Sequence, residues 1–500
     1  MSERYFPGKR VDNSNMGYFP KNPNYGYSWT QDLMNQRASA LYYKTSVGKM
    51  LIDALVRYTV GKGLTPMCAP EVSVLGWSKE RVRRFQNQSE AYWRLMTGKN
   101  YDYNGKDDFC AKQRIAARMI FVDGDVLRHL GYRKLRNGLV APYIQLIGGR
   151  NVVSPDRTDT KKIIGGVEID GNGREIAYHI SVMNDDLSET GTTVRVNRRT
   201  SKGRLEFDLI QLQKSEDSMV RGLPILSNLR EDIFDYNSMR KNHLDRTAVQ
   251  NMFTAFVESE KDTESNWSFK DTLESGGARA DVDVTGESKL TMGPGYIIDL
   301  EPGKKVNLVQ SQTNGEDFSA YEKSMIGLMA SSLGMSYEIA MNTFNASFSA
   351  SRASLSGAEK NFAILRNEFA DKFCTPAWEQ MIEFGILSGG IDCPEWDGLS
   401  AIERKALLSV TWTGVTPPQV DPTKEVKAYI EAVKAGLCSR EHAVRSLFGF
   451  DFEEVAERLK EEAEMLSGAN AGTQQEQDEN NSDSDSDSDK EDKGEDDGNR

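Results

Sequence analysis

Phe344 to Arg366 reads FNASFSASRASLSGAEKNFAILR. The first half is almost all Ser, Ala and Asn, with a single base, Arg352. The second half turns into a helix: Ala358, Phe362, Leu365 and, just beyond, Phe369 fall on one face and predict a long helix over about 350–387. Pro376 should kink or break that helix, because it offers no backbone N–H. A ribbon of small hydroxyl residues directly before a long helix has two physical explanations. One is a nucleophilic serine. The other is a backbone segment squeezed against something large and smooth.

The nucleophile finds little support. The ribbon contains no GxSxG and no Ser-x-x-Lys, and Ser347, Ser349, Ser351, Ser354 and Ser356 merely alternate with other residues. A triad needs a base and a group that orients it. The chain has only four histidines, His129, His179, His243 and His442, none within sixty residues of the ribbon. Nucleotide chemistry fares no better. No Walker A pattern occurs, which argues against a motor ATPase. The glycines of IDGNGR (169–174) lack the third member of a dinucleotide fingerprint and are flanked by strand on both sides. Asp170-Gly171 and Asn172-Gly173 are better read as hairpin turn dipeptides.

The 500 residues suffice for about three domain-sized units. Hydrophobic residues make up 38 %, enough for a core, while a mean hydropathy of -0.56 indicates much polar surface. No run approaches the ~18 apolar residues of a membrane helix, and the N-terminus has no apolar signal region, so synthesis in the cytosol is expected. The five cysteines form no CxxC and no histidine stands at ligand spacing to them, which argues for reduced, packed thiols and against a zinc site. The net charge of -13 is uneven. Gln474 to Arg500 holds twelve acids and three bases, a net of -9, leaving -4 for the rest. Such a body lacks the basic surface of a protein that grips DNA phosphates statically.

Along the chain, residues 1–40 read as an arm with little structure of its own. Leu41, Val47, Leu51, Leu55 and Tyr58 mark a helix over 38–60, and further helices are expected at about 78–97 and 107–121. Then the period becomes two: APYIQLIG, GGVEID, EIAYHISV, TTVRVNRR and RLEFDLIQL read as strands. A helix of some thirty residues follows over 221–253. Residues 259–315 read as a small mixed α/β insertion. In the next helix, about 316–333, Ala320, Ser324, Gly327 and Ser331 form a stripe of small residues, which predicts a crowded helix–helix contact. Asp421-Pro422, Ser439 and Asp451 with Glu454 punctuate three short C-terminal helices. From Ser467 the chain is too polar to bury a core and should be disordered.

The order of these segments resembles the lambda-like family of tailed-bacteriophage portal proteins, from about residue 40 to about 460. GVEIDGNGREIAYHI is similar to the family's hairpin, and SMVRGLPILSNLREDIFDYNSM to its RG-x-P helix start. SSLGMSYEIAMNTFNASFSASRASLSGAEKNF and WTGVTPPQVDPTKEVKAYIEAVKAGLCSR resemble two later segments. Phe348 departs from a tyrosine-like position, and the acidic tail lies outside the resemblance. The resemblance implies an α+β protomer with wing, long-helix stem, small α/β clip and helical crown, assembled as a ring. The ring, usually a dodecamer, would sit at one capsid vertex in the virion, after assembly in the host cytoplasm. It would be a channel for packaging and ejecting double-stranded DNA, not an enzyme. Terminase, major capsid protein and head-completion adaptors would be its partners, with no membrane, cofactor or metal.

Mapped onto this chain, the implied parts are arm 1–40, wing 41–221, first stem helix 222–257, clip 258–315 and second stem helix 316–334. A tunnel region 335–352, a long helix returning to the wing over 353–420, a crown 421–466 and an acidic tail 467–500 complete it. Asn342, Asn345, Ser347, Ser349 and Arg352 would lie near the channel. A serine-dependent hydrolase and a monomeric scaffold or adaptor are the alternatives. On the ring reading, deleting Gln474 to Arg500 is expected to leave ring mass per subunit and thermal stability nearly unchanged, as light scattering and a melting curve would show. Collapse to monomers would make the tail structural.

Overall fold

In the computed structural model the described residues are 27–134, 138, 140–183, 189–214, 216–252, 255–257, 297–299, 315–343, 348–414, 422–448 and 452–474. The chain opens with helices α1 (Tyr27–Lys44) and α2 (Ser46–Thr59), strand β1 (Thr65–Cys68), the single turn α3 (Val72–Leu75), α4 (Lys79–Met96) and α5 (Phe109–Asp123). Strands β2 (Asp125–Lys134), β3 (Val140–Gly148), β4 (Ile163–Ile164), β5 (Val167–Ile169), β6 (Glu175–Met183), β7 (Glu189–Asn197) and β8 (Phe207–Gln211) follow. Next come α6 (Arg230–Met252), β9 (Ala255–Val257), β10 (Ile297–Asp299), α7 (Gly315–Ser332), α8 (Tyr337–Met341), α9 (Phe348–Phe369) and α10 (Thr375–Leu387). The last elements are α11 (Ala401–Leu407), β11 (Val410–Thr413), α12 (Pro422–Lys434), α13 (Arg440–Phe448) and α14 (Phe452–Gln474). Two units emerge, 1–415 and 416–500.

The first unit mixes helices with small antiparallel sheets. Its main core gathers Leu51, Leu55, Ala116, Ile120, Phe362, Phe369 and Trp378, all buried. Trp93 lies 5.0 Å from Phe109, 5.4 Å from Trp378 and 5.9 Å from Trp412, so aromatic edges and faces lock α4, α5, α10 and β11 together. One sheet has the order β3-β2-β8 and another β4-β5-β6-β7. Between them lies a smaller core of Leu127, Val152, Val167, Tyr178, Leu209 and Val220. The Tyr178 hydroxyl donates to Glu175 at 2.7 Å and accepts from the Leu209 N–H at 3.2 Å, which satisfies a buried polar atom on both sides. The turn at Asp170 is the expected hairpin. The Asp170 carboxylate accepts from the N–H groups of Asn172 and Arg174, and Gly173 takes φ +80°. In the second unit, α12 ends at Gly436 with φ +70°, and Ser439 caps α13 through the His442 N–H at 3.1 Å.

Several expectations need correction. The arm is not structureless throughout: α1 starts at Tyr27 and buries Met34, Ala38 and Tyr42. The helix read as continuous over 38–60 breaks at Thr45, whose side chain accepts from the Gly48 N–H and donates to the Leu41 carbonyl, capping both ends. The helix read from 221 begins at Arg230 and is 23 residues, about 35 Å at 1.5 Å per residue. Residues 222–229 instead form a turn and a short 3-10 segment, Ile225–Ser227. Of the kink or break expected at Pro376, the break does not occur. A π-turn, Ala370–Cys374, absorbs the missing donor, and helix resumes as α10. Arg128 donates to the freed carbonyls of Lys372 and Phe373 at 2.9 and 2.6 Å. Most of the small-residue stripe of α7 is not packed against another helix among the described residues: Ala320, Ser324 and Ser331 are exposed, only Gly327 is half-buried, beside Tyr337 of α8, and the buried face is Ile326, Met329, Ala330 and Leu333. The tail expected to be disordered from Ser467 is helical through Gln474, where α14 propagates cheaply from an existing helix. Residues 475–500, and the 258–315 insertion apart from β10, which pairs in parallel with β9, and the first residue of α7, lie outside the described residues.

Candidate functional site

The chain reverses direction between α7 and α9 in two steps. At the first, Gly334 takes φ +70° and the N–H groups of Leu333 and Met335 both return to the Ala330 carbonyl. This is a left-handed helix stop of the kind glycine provides. Asn361 of α9 lies where a Gly334 side chain would have to be, and its Nδ2 donates to the Leu333 carbonyl at 3.2 Å. At the second step α8, capped by Ser336, ends at Asn342 with φ 54° and ψ 40°. The N–H groups of Asn342 and Thr343 converge on the Glu338 carbonyl. Asparagine tolerates this left-handed position better than most residues.

Beneath the reversal, Leu333, Met335, Ile339 and Ala340 are buried and hold it to the core. Ser354 of α9 donates to the Glu338 carboxylate at 3.2 Å. The Glu338 carboxyl is held below its ordinary range, first by its own backbone N–H and then by Ser336 and Ser354, against partial burial. Farther along α9, Phe362 stacks on Tyr58 at 5.1 Å. Arg366 donates to the carbonyls of Tyr58 and Thr59, closing the C-terminal end of α2. The second reversal, with exposed Asn342 at its turn, therefore stands on a buried apolar footing. Gly334→Ala should lose more than about 1 kcal/mol, because both the backbone angle and Asn361 oppose a Cβ. Chemical denaturation checks this, and a neutral result would remove the anchor from the account.

Of the channel residues expected from sequence, Asn342 is at the second reversal, exposed. Asn345 and Ser347 lie outside the described residues. Ser349 and Arg352 fall in the first turns of α9, with side chains outside the description. The hydrolase alternative gains nothing from the histidines described. His129 stacks on Phe207 at 4.0 Å, His179 faces Glu168 at 3.6 Å and His243 stacks on Phe318 at 3.9 Å.

A second constellation went unread in the sequence as a site. Arg221, fully buried, forms a two-pronged pair with Asp125 at 2.6 and 2.8 Å. It also donates to the carbonyls of Gly149 and Val152 at 2.7 and 2.8 Å, and to that of Gly165. The Gly222 N–H completes the Asp125 shell at 3.1 Å. Gly124 and Gly222 are packed backbone to backbone, so neither admits a Cβ. The RG dipeptide thus ties β2, the 149–165 loops and the entry to α6 into one buried polar knot. The only signal for it in the sequence was an arginine beside a glycine ahead of a proline-started turn.

A family model described as phage portal protein, lambda family, matches residues 18–366. The chain is 23% identical over 447 residues to portal protein B of Escherichia phage lambda, covering 86% of this chain and 83% of that protein. It is 24% identical over 452 residues to the portal protein of Escherichia phage N15, covering 86% and 84%. Among solved structures it overlaps a chain of the virion of a native gene transfer agent particle (TM-score 0.41, 11% identity, 84% of this chain and 93% of that one). It also overlaps one from the neck of an empty particle of the same kind (TM-score 0.42, 11% identity, 82% and 93%). With its RG knot and hairpin accounted for by the fold, and a family model spanning well over half its length, the chain belongs to the lambda family of phage portal proteins.

Proposed function

We propose that this portal protein assembles as a homo-oligomeric ring, twelve-fold in the manner the resemblance implies, whose central channel passes double-stranded DNA during packaging and ejection. Membership of the family makes the chain a structural component of the virion rather than an enzyme. The ring would occupy one capsid vertex, meet the major capsid protein there, and receive first the terminase motor and later head-completion adaptors. In the protomer, 41–221 with the return over 353–420 would form the wing, α6 and α7 the stem, 258–315 the clip and 421–466 the crown.

The observation that carries this reading is the double reversal at Gly334 and Asn342. It supports a tip of short polar residues, continuing through Asn345, Ser347, Ser349 and Arg352, between two long helices that could line a channel. Moving DNA is best touched weakly, since a circle of strong phosphate contacts would resist translocation. A body carrying only -4 outside the last 27 residues is compatible with that. Negative-stain microscopy of the purified chain should show rings with a central hole, assembled without nucleotide or metal. A monomeric mass by light scattering, or robust ATP turnover by the chain alone, would sink the proposal.

A further inference from the structure

A cavity of about 420 Å³ opens between residues 211–214, the turn after Arg221, the start of α6 and the outward face of α7. Met219, Leu223, Leu229, Asp232, Leu328 and Ser332 are among its walls, and Leu223 and Leu328 are 38% and 60% exposed. Phe234, on α6, is 65% exposed. At about 100° per residue, it points about 140° away from Leu229 and about 200° away from Asp232. One helix therefore presents a hole on one face and an aromatic knob on the other. Within a protomer the two cannot meet. Between copies they define a head-to-tail contact, the kind that closes into a ring when the rotation allows.

We propose that Phe234 of one subunit seats in this cavity of the next, so that the occupant is a second copy of the chain; this rests on the ring reading above. Size permits it, because a cavity of about 150 Å³ already admits benzene. An aromatic anchor in a pocket is the usual energetic centre of an interface. The exposed stripe of α7 fits the same role: Ser324 and Ser331, one turn to either side of Leu328, are short and exposed and leave room for a neighbouring helix.

The test uses the full-length protein. Phe234→Cys with Leu328→Cys, oxidised as assembled rings, should give a ladder of covalent multimers extending to the whole ring on a denaturing gel. Rings mixed from the two single variants should stop at cross-linked dimers. Each single variant alone controls for the native thiols. Phe234→Asp should lose the ring while the protomer's unfolding midpoint stays put, and Phe234→Leu should keep both. Rings of Phe234→Asp as persistent as wild type, or double-cysteine rings without cross-links, overturn the contact. If the double variant forms no ring, the Asp and Leu variants decide. Wild-type protein that forms no ring overturns the ring reading itself, which is a separate outcome.

Discussion

Arg221→Ala is expected to lose about 3–5 kcal/mol of protomer stability, the range for breaking a buried ion pair from one side. Asp125 would be left with no counter-charge and with the Gly222 N–H as a remaining donor. The carbonyls of Gly149, Val152 and Gly165 would lose a donor in a place water does not reach. Arg221→Lys should rescue little, because an ammonium cannot reproduce the two-pronged fork and the three further bonds together. Removing both charges, Arg221→Met with Asp125→Leu, should cost less than the sum of the single changes, since no bare charge then remains buried. Urea denaturation of wild type, Arg221→Ala, Arg221→Lys, the single variants Arg221→Met and Asp125→Leu, and their double variant measures all of this. An Arg221→Ala protein within about 1 kcal/mol of wild type would show that the knot is dispensable. The consequence for function is that the RG motif acts on the fold, by fixing where α6 starts, and not on DNA.

The parts of the fold legible in the sequence are those where one physical rule acts alone. Strands β3, β6 and β7 alternate, and the turn at Asp170 between β5 and β6 carries its dipeptides, so the hairpin was readable. The core face of α9 was readable because Ala358, Phe362, Leu365 and Phe369 repeat at helical spacing, and all four are buried. Strand β2 was missed because it sits between β3 and β8 with both faces covered. Its run Val126, Leu127, Arg128 is buried without alternation, and the arginine reads as a surface residue. Arg128 is inside because a π-turn far along the chain supplies carbonyls for it and Asp208 of β8 supplies a carboxylate at 3.4 Å. Helix α1 follows a Pro- and Gly-rich stretch and owes its stability to packing of Met34, Ala38 and Tyr42 rather than to local signals. The stripe on α7 shows a further limit. Composition identified small residues on one face, but whether that face turns inward depends on the apolar face opposite, Ile326, Met329 and Leu333. Of the candidate site, the punctuation at Gly334 and Asn342 is visible in the structure, whereas the ribbon's contacts with anything beyond the protomer depend on assembly.

Ser347→Arg should leave assembly intact and impair DNA passage, if the ribbon faces the channel as proposed. A single substitution in a ring is repeated in every subunit, so it would add a full circle of positive charge around the duplex. Each added cation releases counterions on contact with phosphate, which strengthens binding and makes it salt-dependent. Packaging or ejection should therefore slow and partly recover at higher salt. The position is expected to cost little stability, because the side chain it replaces is short and polar. Phe362→Ala is the matched control. Phe362 is 1% exposed and stacked on Tyr58, so its truncation should cost about 3–5 kcal/mol and reduce assembly by weakening the protomer. Arg352 separates two further possibilities. If it pairs with an acid of its own chain, Arg352→Gln should lower stability and leave packaging unchanged; if it touches DNA, the reverse should hold. Capsid assembly and DNA packaging, measured side by side for Ser347→Arg and Phe362→Ala, decide the assignment. Should Ser347→Arg package like wild type, or fail because rings never form, the ribbon does not face moving DNA and the channel wall must be sought elsewhere in the protomer.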